Sequence, residues 1–348
     1  MQEGLAGGKL LPYGEKATAD GRRVFGFAAY PPYPPEADLS AGGGSAERPT
    51  PGRGAAFMSE RARARLLLLV AAALWSMSGV FLKSLPEVHW IAIAGVRSIF
   101  ASLLFLPGLT QARPRLGKLV PAVLIYAFLV STLMGSMQLG TAAQGIWLQY
   151  IAPALVALWA WRVQRQRLRS SETFAVLLTC AALVLIVTGG EGQGHRQSVA
   201  LGLVSGVSFG VFILLLKSLQ EVSPSAIFIW TNLGTAAILL PVALALGIRL
   251  PSAPAELGLL AAMGLVQLAL PYHFFQRGLA GVRAVEASLI ILLEPILNPI
   301  WVYLAIGEVP SPRVIAGCGL IALGLVVFAL QPGRDENAQT ASGDIQGS

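Results

Sequence analysis

The sequence predicts an all-α polytopic membrane protein, with ten transmembrane helices built as two inverted five-helix repeats. Three observations carry this expectation. Only 12% of the 348 residues are charged and 55% are hydrophobic, against about 25% and 45–50% in a soluble domain. The charges are unevenly placed: residues 66–331 hold 15 Lys/Arg and 8 Asp/Glu, while the other 82 residues hold 20 charged groups. Finally, LKSLPEV at 82–88 returns as LKSLQEV at 216–222, the kind of self-similarity that marks an internal duplication.

Residues 1–57 contain 11 Gly and 7 Pro, with PPYPP at 31–35 and GGG at 42–44. Such a segment buries too little to form a core and is expected to be a disordered N-terminal extension. It lacks the continuous apolar stretch of a secretory signal. Met58, followed by SERARAR and LLLLVAAALW, is a start more in keeping with a membrane protein. The polar segment 332–348 is expected to be a disordered cytoplasmic tail.

A helix crossing the hydrocarbon core needs about 20 apolar residues. The chain offers ten such runs: 66–83, 88–107, 119–137, 141–161 and 173–189, then 199–217, 225–246, 256–275, 283–305 and 313–331. The second holds one charge, Arg97, and the fourth carries Gln149, Tyr150 and Pro153. The sixth has Gly202, Gly206 and Gly210 on one face, a pattern that suits close helix packing. The ninth carries Glu294 between apolar neighbours. Gly, Pro and single polar residues interrupt several runs, which membrane helices tolerate where neighbouring helices satisfy the backbone.

Loop charges give the orientation. With the amino terminus inside, the cytoplasmic side gathers Arg61, Arg63, Arg65, Arg113, Arg115, Lys118, Arg162, Arg165, Arg167, Arg169, Lys217, Arg277, Arg283 and Arg334. The other side keeps Lys83, Arg196, Arg249 and Arg313. This bias places both termini in the cytoplasm and explains the net charge of +7 as topology, with no nucleic-acid partner. Cys180 and Cys318 lie in apolar runs without metal-ligand spacing, so neither a disulfide framework nor a metal site is expected.

The duplication fixes the architecture. An offset of 134 carries 82–88 onto 216–222 and the LP at 106–107 onto 240–241. Further on an offset of 142 carries Pro153 onto Pro295, Trp159 onto Trp301 and Gln166 onto Glu308. The domains are thus 58–190 and 191–331. Five crossings per copy turn the second copy upside down, the inverted-repeat construction of many secondary transporters, whose sites lie near the midplane between repeats. The loop 162–169 carries four Arg and its mate 304–311 none, as inversion requires.

With these residues in place the sequence resembles the drug/metabolite transporter superfamily, specifically its EamA-type permeases. The resemblance rests on LLLLVAAALWSMSGVFLKSL, with Trp75, and on LLEPILNPIWVYLAIGE, with Glu294, Pro295 and Glu308. Two departures stand out: Gln166 replaces the first unit's closing glutamate, and Phe209 takes the place of Trp75 in the second unit. The resemblance implies a secondary permease for small metabolites, with a cavity lined by the inner helices of both units and the fifth and tenth helices more peripheral.

Ionisable groups within the bilayer usually mark a pathway or a pair. Glu294 either contacts substrate and titrates during transport or is a paired structural residue. Glu294, Asn298 and Trp301 share one helix face, and Pro295 and Pro299 free the carbonyls of Ile291 and Pro295. Arg97 falls at similar depth, so it either pairs with Glu294 or snorkels toward water. Tyr272, His273 and Gln276 form a polar patch at the end of the eighth run, either a gate or an interfacial anchor. Gln138, Gln149 and Tyr150 line a cavity or bond neighbouring helices. Trp75 and Trp147 can stack on a planar solute, although Trp147 also suits an interfacial belt. The candidate substrate-binding set is therefore Trp75, Arg97, Gln138, Gln149, Tyr150, Tyr272, His273, Gln276, Glu294, Asn298 and Trp301.

HExxH, a P-loop and a dinucleotide glycine fingerprint are all lacking, so an intramembrane enzyme and ATP-driven transport are disfavoured. A non-transporting scaffold or sensor is the other alternative. The expectation is a secondary exporter of small neutral or zwitterionic metabolites such as amino acids, or of amphipathic compounds. It needs no cofactor and sits in a bacterial plasma membrane. Its expected partners are a small-molecule substrate, the lipid bilayer, a coupling proton and a second copy of the chain as a homodimer.

Overall fold

The computed structural model describes residues 60–330 apart from 112–114, 166, 169, 191 and 283. The expectations for 1–57, for 332–348 and for Arg113, Gln166, Arg169, Arg283 and Arg334 lie outside the described residues.

Each of the ten apolar runs has a helical counterpart. The first is α1 (Glu60–Trp75) followed by α2 (Ser78–Lys83), the second α3 (Trp90–Leu103) and the third α4 (Leu116–Leu139). The fourth divides into α5 (Ala142–Gln149) and α6 (Ala152–Arg162), and the fifth is α7 (Ser170–Val187). The second half contains α8 (Gly192–Leu216) and α9 (Pro224–Ala245), then α10 (Pro254–Ala262) and α11 (Leu270–Leu279) joined through the wider π-helical turns of Met263–Ala269. It closes with α12 (Ala284–Ile291), α13 (Leu293–Ile306) and α14 (Pro312–Ala329). Eight of the resulting rods are long and apolar enough to cross a membrane by length and composition. The 14-residue α3 rises only about 21 Å at 1.5 Å per residue; the 3₁₀ turn Leu106–Thr110 follows it.

Several ends follow from their sequence. The Thr141 hydroxyl accepts from Gln144 N at 3.1 Å at the start of α5, and Ser223 accepts from Ala226 N at 3.2 Å at the start of α9. Each hydroxyl fills one of the donor vacancies that every helix start leaves. Gly307, at φ +77°, ends α13 in the left-handed region that suits glycine.

Continuous helices expected across 66–83, 141–161 and 283–305 are each interrupted. Pro153 and Pro295 stand just past two of the interruptions and cannot donate to the carbonyls of Gln149 and Ile291, the last residues of α5 and α12. The first interruption, at Ser76–Met77, contains no proline.

Repeat-mates run antiparallel. An offset of 142 carries α7 onto α14 residue for residue. A Cβ on Gly317 would meet Ile186 and the Ala182 carbonyl, while one on Gly324 would meet the Ala175 carbonyl. As α14 advances, α7 recedes. The mates α3 and α9 do the same: Gly95 faces Leu239 and Leu240, and further along the Phe105 and Phe228 rings lie 4.4 Å apart. The remaining contacts respect the same exchange, because α4 packs on α8 as α1 packs on α11. An odd number of crossings per repeat therefore produces two halves related by inversion.

Candidate functional site

The interruptions of the first, fourth and ninth segments converge around α13. Glu294, in the first turn of α13, accepts a hydrogen bond at Oε2 from the Tyr150 hydroxyl at 3.0 Å. Tyr150 is the residue that follows α5. One turn further on, the Asn298 amide donates to the Ser76 carbonyl at 2.9 Å and to Ser78 Oγ at 3.1 Å, and Trp301 Nε1 donates to Ser76 Oγ at 2.9 Å. One face of α13 thus ties together the breaks in the first and fourth segments.

The π-helical turns bind the same region from the other side. Gln267 Nε2 donates to the Trp75 carbonyl at 3.1 Å, so the carbonyls of Trp75 and Ser76 at the end of α1 gain side-chain donors in place of helical ones. The Trp75 ring lies 5.4 Å from that of Phe275. The Gly202 and Gly206 stretch of α8 packs against the other break: Cβ atoms there would come within 2.5 Å of Leu148 Cδ1 and 2.6 Å of the Leu148 carbonyl.

Of the remaining candidates, Gln138, Tyr272, His273 and Gln276 are placed apart from this cluster. Gln138 donates from Nε2 to the Val88 carbonyl at 2.8 Å, fastening the end of α4 to the turn before α3. Gln149 is half-buried at the end of α5. The Tyr272 hydroxyl donates to the Pro224 carbonyl at 3.3 Å and Ser225 Oγ to Gln276 Oε1 at 3.4 Å, so these two residues clasp α11 to the start of α9. His273 lies edge-on to the Phe105 ring. Trp301 is 37% exposed despite its indole hydrogen bond.

The expected Arg97–Glu294 pair does not form. Arg97 is 5% exposed on α3, which packs against α4, α9, α10 and the π-helical turns, and the Tyr126 phenol of α4 lies within electrostatic reach of its guanidinium. Glu294 faces Tyr150 instead. Equal depth along the membrane normal says nothing of the angle around the bundle, and these two residues lie in different sectors.

Sequence reasoning also missed several groups. Lys83 Nζ lies 2.8 Å from Glu308 Oε2 and donates to the Gly140 carbonyl at 2.7 Å. The other oxygen, Glu308 Oε1, accepts from Ala142 N at 2.7 Å, so this carboxylate caps α5 as well as pairing. Ser136 and Ser198 each donate a hydroxyl to the other's carbonyl, both at 2.7 Å, and Gln144 donates to Ser198 Oγ at 2.8 Å. Serines in apolar helices carry no signal in hydropathy, and neither repeat offset relates Ser136 to Ser198 or Lys83 to Glu308.

A model of the EamA-like transporter family matches twice along the chain, over residues 62–188 and 196–330.

The chain belongs to the EamA-like transporter family.

Its helices accordingly form an integral membrane transporter. Similar proteins include a Bacillus subtilis (strain 168) protein named uncharacterized transporter YwfM, 29% identical over 197 residues, or 55% of this chain and 65% of that protein. An Archaeoglobus fulgidus protein named uncharacterized transporter is 26% identical over 263 residues, 75% of this chain and 94% of its own length. One solved crystal structure matches with a TM-score of 0.58 at 17% identity, covering 78% of this EamA-like chain and 100% of that one. The likeness is one of fold.

Proposed function

We propose that this protein is a secondary exporter that moves small neutral or zwitterionic metabolites, such as amino acids or amphipathic compounds, by alternating access between its inverted repeats. The observation that carries the reading is the Tyr150–Glu294 contact, in which helix breaks at equivalent places in the two repeats meet through a titratable group. Discontinuous helices at a repeat interface are where secondary transporters bind substrate and coupling ions. In this scheme Glu294 exchanges a proton as Tyr150 is drawn away, and the repeats 58–190 and 191–331 rock about α13. Asn298, Trp301, Trp75 and Gln267 border the path.

The loop charges support cytoplasmic termini. With that orientation the Lys83–Glu308 pair closes the outer side and the Arg61 and Arg65 pair with Glu286 closes the inner side. A bacterial plasma membrane suits the composition and the Bacillus relative.

The test is flux of the standard amino acids and of simple amphipathic amines in proteoliposomes of purified protein, with and without a pH gradient. Gradient-stimulated flux of one class is expected, and its loss in Glu294→Gln. Flux of no solute, or flux that Glu294→Gln leaves unchanged in amount and pH response, overturns the reading.

A further inference from the structure

Every charge buried in a protein interior needs a partner, because the cost of desolvation is several kcal/mol per ion. Arg97 is 5% exposed and, among the described residues, forms no ion pair; its Nε has no hydrogen-bond partner. The carboxylates that might have served are engaged elsewhere: Glu286 with Arg61 and Arg65, Glu308 with Lys83, Glu221 with Lys118, Glu256 with Arg249, and Glu294 with Tyr150. An arginine cannot discharge the problem by losing its proton.

The polar groups on the helices that enclose it share the same condition. Ser98 Oγ on α3, with Asn232 Oδ1 and Thr235 Oγ1 on α9, are buried without hydrogen-bond partners. The antiparallel packing of α3 on α9 brings Ser98 level with Thr235, and Tyr126 of α4 meets the Asn232 side chain while lying within electrostatic reach of the Arg97 guanidinium. The repeat offset of 134 carries Ser98 onto Asn232, so the group straddles the axis that relates the two halves. The π-helical turns complete the enclosure: a Cβ on Gly264 would lie 2.6 Å from the Arg97 carbonyl, and Gln267 links the same turns to Trp75.

A guanidinium presents donors in a planar fork that matches a carboxylate, and hydroxyl and amide groups beside it supply the remaining hydrogen bonds. One fixed positive charge among neutral groups suits one negative charge and leaves a polyanion uncompensated.

We propose that Arg97, with Ser98, Asn232, Thr235 and Tyr126, is the receptor for the carboxylate of the transported solute. The inference rests on the transporter reading and narrows its substrate to carboxylate-bearing zwitterions or monoacids. Simple amines are excluded. Within the transport cycle, a solute carboxylate at Arg97 supplies the counter-charge that the chain itself does not.

The experiment combines two measurements on the purified full-length protein and Arg97→Met: thermal stability in detergent and flux in proteoliposomes. The probes are the standard amino acids, their carboxamides and their decarboxylated amines, with sodium chloride titrated separately. Arg97→Met, relieved of an unpaired buried charge, is expected to melt at a higher temperature than the parent without added solute. The parent is expected to be stabilised by at least one amino acid and by neither its amide nor its amine, a response that Arg97→Met lacks, along with at least a tenfold drop in flux. Arg97→Lys retains part of both.

Arg97→Met melting lower without solute and keeping the solute response, or flux confined to amines and amides, overturns the carboxylate receptor while leaving the transporter reading intact. Stabilisation by chloride alone assigns the site to an inorganic anion and also overturns it. Flux of no solute overturns the transporter reading, and the melting shifts still decide whether Arg97 receives a carboxylate.

Discussion

Tyr150 and Glu294 belong to opposite repeats, and each sits at the point where its own helix is broken. The phenol donates and the carboxylate accepts at 3.0 Å. Replacing Glu294 by Gln keeps the shape and removes the charge, so we expect proteoliposome flux to fall at least tenfold, equivalent to about 1.4 kcal/mol in the limiting barrier, with the pH response abolished. Tyr150→Phe removes one donor and leaves the carboxylate, so a smaller loss with the pH response displaced is expected in the same assay.

The Lys83–Glu308 pair, each side chain 17% exposed, should matter to stability. Glu308→Ala strands the ammonium and uncaps Ala142 N, a loss of about 1–3 kcal/mol. Lys83→Met/Glu308→Gln should recover part of it, read as melting temperature in detergent. Glu221, held below the usual carboxylate range by the Lys118 ammonium beside it, is exposed. Glu221→Gln is expected to leave the melting temperature unchanged, as exposed pairs generally do.

Two glycines four residues apart on α8 should respond differently to alanine. At Gly206 the new methyl would lie 2.6 Å from a backbone carbonyl, whereas at Gly210 the nearest atom is 3.7 Å away. Gly206→Ala should cost about 1–3 kcal/mol through forced displacement of α5. Gly210→Ala should be neutral or gain up to about 1 kcal/mol from helix propensity. Fluorescence-detected size exclusion after a heat ramp separates the two.

His89 caps α3 by accepting from Ile91 N at its Nδ1, 3.2 Å away, which only the neutral ring can do. Burial pushes this imidazole below the usual histidine range. A depressed histidine value means that the cap's contribution is complete above the unfolded value of about 6.5 and fades as pH falls through the lowered folded value. The melting temperature should therefore drop on acidification within that window, and His89→Asn, which keeps a capping oxygen, should lose that component of the pH dependence.

Periodicity and hydropathy located the helices well because a membrane span announces itself by length. The runs expected at 225–246 and 313–331 appear as Pro224–Ala245 and Pro312–Ala329. The duplicated word and the change of offset were enough to anticipate inversion, which α7 and α14 display residue by residue. Pairing in the membrane plane was out of reach. Depth suggested Arg97 with Glu294, yet only packing reveals that α3 looks toward α9 and α13 toward the breaks of the first and fourth segments. The interruption at Ser76 was hidden for a related reason: it contains no proline, and its freed carbonyls are met by the donors that Asn298 and Gln267 bring from some two hundred positions away. The tie of Tyr272 and Gln276 to α9 was equally invisible, since a polar face on one helix does not name the neighbour that covers it.

The first and ninth segments touch at three levels, Arg61 with Glu286, Ser76 with Trp301 and Lys83 with Glu308, and each pair is separated by the same 225 residues of chain. During synthesis, Lys83 and the Ser76 carbonyl therefore gain Glu308 and Asn298 only once the ninth segment has left the ribosome. A transcript truncated before the ninth segment would yield helices that insert yet cannot close on one another. Such a product leaves the Lys83 ammonium without its carboxylate and the Ser76 carbonyl without its amide donor, so closure of the first segment depends on the ninth.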